Sequence, residues 1–285
     1  TYFDNNVTET EGGIVELVSK TQPAVVTVVI KGTSSSGFFD DSQTDVTIGS
    51  GTGFFVSEDG LLITNEHVVC SIEAAKINII TSDQKSYNVK SVAVDSALDI
   101  AVLKVDTGNS KVPFLKFANP NTEIKVGEPV IAIGNPLGTN PGSVTQGIIS
   151  GLNRNIQAQG ACNSRASVKD YEGILQTDAA INSGNSGGPL LDSTGDVIGV
   201  NAATSSDANN ISYAVPSNRV LKILERYNKN NGKITSPYIG VEYAMLNADV
   251  AKTQNLPVGA LIRSLVKDSP AQKAGLLKND IITKL

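Results

Sequence analysis

Six residues, Gly184-Asn185-Ser186-Gly187-Gly188-Pro189, stand in a chain with a single histidine, His67. A serine flanked by glycines can present its hydroxyl on a tight turn, beside unhindered backbone N–H groups that receive an oxyanion. An unperturbed imidazole titrates at pKa about 6.5, so His67 is the one obvious proton shuttle for such a nucleophile. The implied chemistry is acyl transfer through an activated serine. Chain order then sorts the possible versions. The segment formally matches G-x-S-x-G, the nucleophile elbow of α/β-hydrolases, but that arrangement needs a histidine after the serine and none follows Ser186. The order Asp, His, Ser is formally open to Asp40, Asp41, Asp45 or Asp59, which lie in loop-like segments without a supporting motif. The order His, Asp, Ser, with Asp99 as the acid, has the best support.

Asp99 stands at the entrance to Ile100-Ala101-Val102-Leu103, an apolar strand able to carry its carboxylate into a desolvated position. There it can hold the Nδ1 hydrogen of His67 and stabilise the imidazolium. Asp95 sits earlier, in the polar approach, and Asp106 lies past the strand's end. The competing role for Asp99 is that of an ordinary turn residue at a strand start. His67 follows Leu61-Leu62-Ile63-Thr64 and precedes Val68-Val69, which puts it at a strand-to-turn junction beside apolar packing. A lone buried histidine is often structural, and a glycine-rich serine segment is often only a turn. Their conjunction with a correctly ordered acid favours catalysis.

Several elements must position these groups. Glycine-rich punctuation between short Val/Ile/Leu runs predicts strands near 25–30, 53–56, 61–64, 77–80, 100–105, 130–133, 147–150, 197–201 and 212–215. Such a succession suggests a barrel or sandwich. Val220, Leu221, Ile223 and Leu224 predict one amphipathic helix over 218–228, capped by Ser217 or Asn218. A polar linker follows, and polar loops are expected at 32–47 and 153–170.

Composition narrows the classes further. The 285 residues carry a net charge of -5 with both signs interspersed, and no dense basic stripe or aromatic platform for nucleic acid. No run approaches the roughly 20 apolar residues of a membrane helix. The chain begins at Thr1, so a segment or anchor upstream is expected to have been removed. Cys70 and Cys162 are the only cysteines and lack metal-like spacing; with one histidine they make a zinc site improbable, and no metal or cofactor is expected. The burial habit of cysteine favours two free thiols, whereas a disulfide would imply an oxidising compartment.

Thr64-Asn65-Glu66-His67-Val68-Val69, then Leu98-Asp99-Ile100-Ala101-Val102-Leu103-Lys104, then Thr177-Asp178-Ala179-Ala180-Ile181-Asn182 running into the serine turn, resemble the three signatures of HtrA/Deg serine proteases. Gly134-Asn135-Pro136-Leu137-Gly138, Gly147-Ile148-Ile149-Ser150 and Tyr213-Ala214-Val215-Pro216 are similar to further stretches of that family. The resemblance implies a mainly β fold, a trypsin-like double β-barrel with a C-terminal helix, followed by a partial α+β PDZ segment. The expected domains are a lead-in over 1–13, a protease domain over 14–228, a linker over 229–236 and a partial PDZ domain over 237–285. The implied triad is His67, Asp99 and Ser186, with an oxyanion hole at Gly184, Asn185 and Ser186. Loops near 139–144, 153–171 and 203–210 would make or collapse that hole. Ala180 would floor the primary specificity pocket and select small or medium aliphatic side chains. Asn201, Ala202 and Ala203 would pair with substrate as an added strand.

Tyr238-Ile239-Gly240-Val241 resembles a PDZ carboxylate-binding loop, with a PDZ-like core in Ser269-Pro270-Ala271, Ala274-Gly275-Leu276 and Asp280-Ile281-Ile282. Asn279 departs from the glycine common there, and a segment this short is expected to be partly ordered at best. The resemblance implies an extracytoplasmic protease of unfolded or misfolded polypeptides, trimeric through residues such as Tyr2 and Phe3. The competing reading is a noncatalytic peptide-binding or chaperone module in a resting protease shape.

Overall fold

Valines and isoleucines stiff at χ1 fit a pleated sheet better than a helix, and the run from Val25 to Ile30 opens the first strand accordingly. The structure is a computed structural model, and it describes residues 10–35, 43–70, 76–135, 142–160, 167–182, 184–204, 210–235 and 238–284. Six antiparallel strands close a first barrel in the order β1-β2-β3-β6-β5-β4. They are β1 (Val25–Ser35), β2 (Gln43–Phe55), β3 (Leu61–Asn65), β4 (Lys76–Ile80), β5 (Ser86–Asp95) and β6 (Ile100–Val105). A second barrel runs β10-β11-β12-β9-β8-β7, from β7 (Pro129–Gly134), β8 (Ser143–Gly160), β9 (Ser167–Thr177), β10 (Pro189–Leu191), β11 (Val197–Thr204) and β12 (Ser212–Pro216). Val28, Phe55, Leu62 and Leu103 fill the first barrel; Val130, Ile149, Leu190 and Ile198 fill the second. Phe54, Ile63, Ile100, Ile133, Leu191, Val200 and Val215 form a third core shared by both. The expected double barrel is therefore present.

The polar loops expected at 32–47 and 153–170 are largely strand: β1 with β2, and β8 with β9, continue as long paired ladders. Cross-strand hydrogen bonding along a ladder does not require apolar side chains, so composition understates strand length. β5, β9 and β10 were also absent from the expected set. Helix α1 (Thr10–Thr21) is a further addition; Gly12-Gly13 masks it, since each glycine costs a helix about 1 kcal/mol, yet Ile14, Leu17 and Val18 pack on the shared core. A four-residue helix α2 (Glu66–Val69) carries His67. Helix α3 (Ser217–Lys229) lies close to its expected bounds, but its N-cap is Pro216, with no side-chain cap bond, in place of Ser217 or Asn218.

Asp95 is not in a polar approach. Its side chain is 3% exposed and forms an ion pair with Arg226 of α3, while its Oδ1 accepts the Leu98 N–H at 3.1 Å. Cys70 is disulfide-bonded, which overturns the expectation of free thiols; burial habit describes isolated cysteines and is silent once the fold brings two sulfurs together. The only other cysteine, Cys162, lies outside the described residues, as do Tyr2 and Phe3, Ser183, the first half of the expected loop at 139–144 and most of that at 203–210.

The chain divides into two compact units, Thr1–Ile234 and Thr235–Leu285. Within the second, β13 (Val241–Leu246), β14 (Gly259–Leu265) and β15 (Ile281–Ile282) form a sheet in that order, with helices α4 (Ala248–Thr253) and α5 (Pro270–Lys273). This is more regular than the partial order expected of so short a segment. Buried Leu246, Ala251, Ile262 and Ala271 supply its apolar contacts. Gly240, at φ +82, could not carry a Cβ without meeting that of Ser269 at 2.3 Å. Asn279 adopts φ 77, so asparagine serves here in the conformation glycine otherwise supplies.

Arg226→Met leaves Asp95 buried without its cation. The expected cost is about 3 kcal/mol, a fall in Tm of roughly 6–12 °C by differential scanning calorimetry; an unchanged Tm contradicts a structural role for the pair. Denatured without reductant, the chain should react with no thiol reagent.

Candidate active site

Asp99 occupies a left-handed backbone conformation, φ 57, which aspartate tolerates better than most side chains. Its carbonyl accepts the Glu66 N–H at 3.1 Å and Asn65 Nδ2 at 2.9 Å, fixing the start of α2 against the turn before β6. Its side chain turns the same way: Oδ1 accepts the His67 backbone N–H at 3.0 Å, and Oδ2 faces His67 Nδ1 at 2.6 Å. Asp99 is 1% exposed. A carboxylate so buried costs several kcal/mol unless it is compensated, and hydrogen bonds to a charged group return about 1.5–3 kcal/mol each. Sequence reasoning missed one donor. The buried hydroxyl of Tyr171, on β9, donates to the same Oδ2 at 3.0 Å. Burial first, and then the Asp99 charge and the hydrogen bond to it, push this phenol far above its ordinary pKa.

The serine turn is held by the first barrel. Thr52, buried on β2, donates its N–H to the Ser186 carbonyl at 3.0 Å and its hydroxyl to the Gly184 carbonyl at 2.6 Å. Its own carbonyl accepts the Thr64 hydroxyl at 2.7 Å. Gly187 is at φ +83, where an added Cβ would lie 2.3 Å from the Thr52 carbonyl, 2.4 Å from Thr64 Oγ1 and 3.0 Å from the Asn65 nitrogen. The turn thus packs against the end of β3, two residues before His67. Thr52 was also missed, although its setting between Gly51 and Gly53 is a sequence sign of close backbone approach.

The amides expected to form an oxyanion hole are engaged locally. Gly184 N–H donates to Asn182 Oδ1 at 3.0 Å; Asn185 and Ser186 N–H donate to the Asn182 carbonyl at 3.1 and 3.2 Å. The Ser186 hydroxyl donates to that same carbonyl at 3.2 Å. Asn185 braces the turn, its Oδ1 accepting Asn182 N–H at 2.8 Å and its Nδ2 donating to the Ala180 carbonyl at 2.9 Å. Ala180 is exposed, with no carboxylate of its own. On β11, Asn201 and Ala202 are buried, the ladder to β12 is irregular between Asn201 and Ala203, and Ala202 and Ala203 continue past the last β10 pair, Pro189↔Val200. Tyr238, Ile239, Gly240 and Val241 lead into β13 of the other unit; the Gly240 and Ile239 carbonyls accept N–H groups of Val266 and Ala271 at 2.9 Å. Among the described residues no cluster of His, Cys, Asp and Glu could hold a metal ion.

A family model for a trypsin-like peptidase domain matches residues 51–200. A probable periplasmic serine endoprotease DegP-like of Chlamydia trachomatis is 40% identical over 237 residues, covering 81% of this chain and 44% of the relative. The DegP-like counterpart of Rickettsia prowazekii is 38% identical over 248 residues, 85% of this chain and 46% of its own. This chain belongs to the HtrA/DegP-like family of trypsin-like peptidases. It spans less than half the length of these two relatives. Among solved structures, the HtrA-type protease AlgW with a decapeptide superposes with TM-score 0.70 at 30% identity, covering 94% of this chain and 83% of that one. Deg5 superposes with TM-score 0.60 at 31% identity, covering 80% and 100%. The HtrA-type fold accounts for the shared core and for the delivery of His67 and Ser186 from different barrels.

Gly187→Ala should fail to fold or lose several kcal/mol, because both φ and space forbid the methyl group. Soluble yield and thermal melts test this; a wild-type Tm would contradict the described packing.

Proposed function

We propose that this HtrA-type chain is a serine endopeptidase acting on unfolded or misfolded polypeptides, with His67, Asp99 and Ser186 as its triad. The observation that carries this reading is the 2.6 Å contact of His67 Nδ1 with the buried Asp99 carboxylate, beside a serine turn locked against the end of β3. Asp99 fixes the imidazole with Nδ1 protonated, leaving Nε2 to take the Ser186 proton as Oγ attacks the scissile carbonyl. The imidazolium then protonates the leaving amine, and water, deprotonated in turn by His67, cleaves the acyl-enzyme. Stabilising the tetrahedral oxyanion requires the Gly184 and Ser186 amides, with Asn185 between them, to turn away from Asn182. The bonds from the Gly184, Asn185 and Ser186 amides to Asn182 are therefore a resting arrangement that substrate or an effector must open. Substrate adds as a strand along Asn201, Ala202 and Ala203, and Ala180 favours a small or medium aliphatic side chain, since a buried cation would find no partner there.

The periplasmic names of the DegP-like relatives and the disulfide at Cys70 support an extracytoplasmic location. No helix among the described residues is long and apolar enough to cross a membrane. Residues 237–285 read as part of a PDZ domain with its carboxylate loop at Tyr238, Ile239, Gly240 and Val241, and the family assembly is a homotrimer. One observation favours a second reading: with three amides committed to Asn182, the chain could bind peptides without cutting them, as a chaperone module.

Labelling by a serine-directed phosphonate, with an unfolded protein present, separates the two. The endopeptidase labels at Ser186 and hydrolyses casein; absence of both selects the chaperone reading. Ser186→Ala and His67→Ala should each lower kcat roughly 10⁴-fold or more, and Asp99→Asn on the order of 10⁴-fold. Activity within tenfold of wild type in any of the three removes that residue from the triad.

A further inference from the structure

A phenol among hydrocarbon needs its hydroxyl satisfied, but most buried tyrosines meet that need with a backbone carbonyl or a neutral side chain. Tyr171 instead donates to Asp99 Oδ2, the oxygen that also faces His67 Nδ1. We infer that Tyr171 is a positioning residue for the His67–Asp99 pair, setting how strongly the carboxylate accepts from the imidazole.

Three features support the assignment. Both groups are buried, Tyr171 at 6% and Asp99 at 1% exposure, so neither can trade the other for bulk water at little cost. The phenol's affinity for its proton is raised, so at ordinary pH it is always a donor toward the carboxylate. The bond also crosses the barrels: His67 and Asp99 flank β3 and β6 of the first, whereas Tyr171 comes from β9 of the second. With the His67 backbone N–H on Oδ1, the carboxylate plane is set by donors on both oxygens.

The electrostatic consequence has a definite sign. Two donors on one oxygen compete for its charge, so the Tyr171 hydroxyl weakens the bond from His67 Nδ1 and stabilises Asp99 as an anion. Besides His67, the ionisable group beside Asp99 and Tyr171 is Glu66 on α2, whose charge also acts on Tyr171; Asp95, at the far end of the same turn, is paired with Arg226. Removing the hydroxyl should tighten the His67–Asp99 bond while loosening the carboxylate's orientation. A phenylalanine would fill the same space, so a purely structural tyrosine has no comparable signature.

The single histidine makes the test unambiguous, because the Nδ1–H resonance of uniformly labelled histidine in the untagged protein reports on one residue. Tyr171→Phe should move that resonance downfield. Replacing Tyr171 by 3-fluorotyrosine, a stronger donor of nearly the same size, should move it upfield. For the kinetic arm, which rests on the proposed endopeptidase activity, Tyr171→Phe should lower kcat roughly five- to fifty-fold with KM for a short peptide unchanged. An unmoved resonance in a variant folded by circular dichroism overturns the assignment, as do shifts of the same sign in both variants. If Tyr171→Phe does not fold, the fluorotyrosine shift decides alone. If the wild-type chain neither cleaves nor labels, the endopeptidase reading fails while the resonance still judges Tyr171.

Discussion

A carboxylate that is 1% exposed organises this molecule, because everything within reach of it must donate or be displaced. Asp99 meets that demand by giving up an ordinary backbone conformation: at φ 57 its carbonyl and carboxylate both face the start of α2. Backbone strain of this kind costs on the order of 1–3 kcal/mol, and it is offset by bonds from Asn65, Glu66, His67 and Tyr171. The imidazole direction follows from those bonds. The orientation of His67 is thus a by-product of compensating a buried charge.

The other half of the constellation depends on a neutral side chain. Thr52 has no reactive chemistry, yet its N–H, hydroxyl and carbonyl each tie the serine turn or β3 in place, and its hydroxyl also accepts the Asn135 N–H at 2.8 Å. A threonine is small enough to sit where two barrels nearly touch and polar enough to satisfy the carbonyls exposed there. The glycines beside Ser186 serve the same approach from the opposite side, so the motif that reads as a nucleophile turn is equally a docking surface between barrels.

Much of this was legible beforehand. The unique histidine, the ordered acid and the serine turn located the triad candidates, and the β-branched runs located the cores of most strands. Other features were hidden for identifiable reasons. Polar ladders such as β8 and β9 are held by backbone bonds that leave no hydrophobic pattern. The tyrosine on β9 gave no sign of its partner because 72 positions separate it from Asp99 and nothing local marks the pairing. Asp95 looked like a solvated turn residue because its cation lies 131 positions away, on α3. Whether amides face a ligand or an Asn182 carbonyl is a matter of a few backbone torsions, which residue types do not encode.

The ion pair between Asp95 and Arg226 places a seam in the chain. It commits the last turns of α3 to the first barrel, and the Gly232 N–H closes onto the Tyr227 carbonyl at 2.9 Å just beyond, so the elements that complete the barrels' core end by Ile234. Everything the barrels need for closure therefore lies upstream of a short polar stretch. Genetic exchange at that stretch can swap, duplicate or discard the downstream module without unpicking a single barrel ladder, which makes the helix end a natural joint for building new multidomain arrangements on an unchanged double barrel.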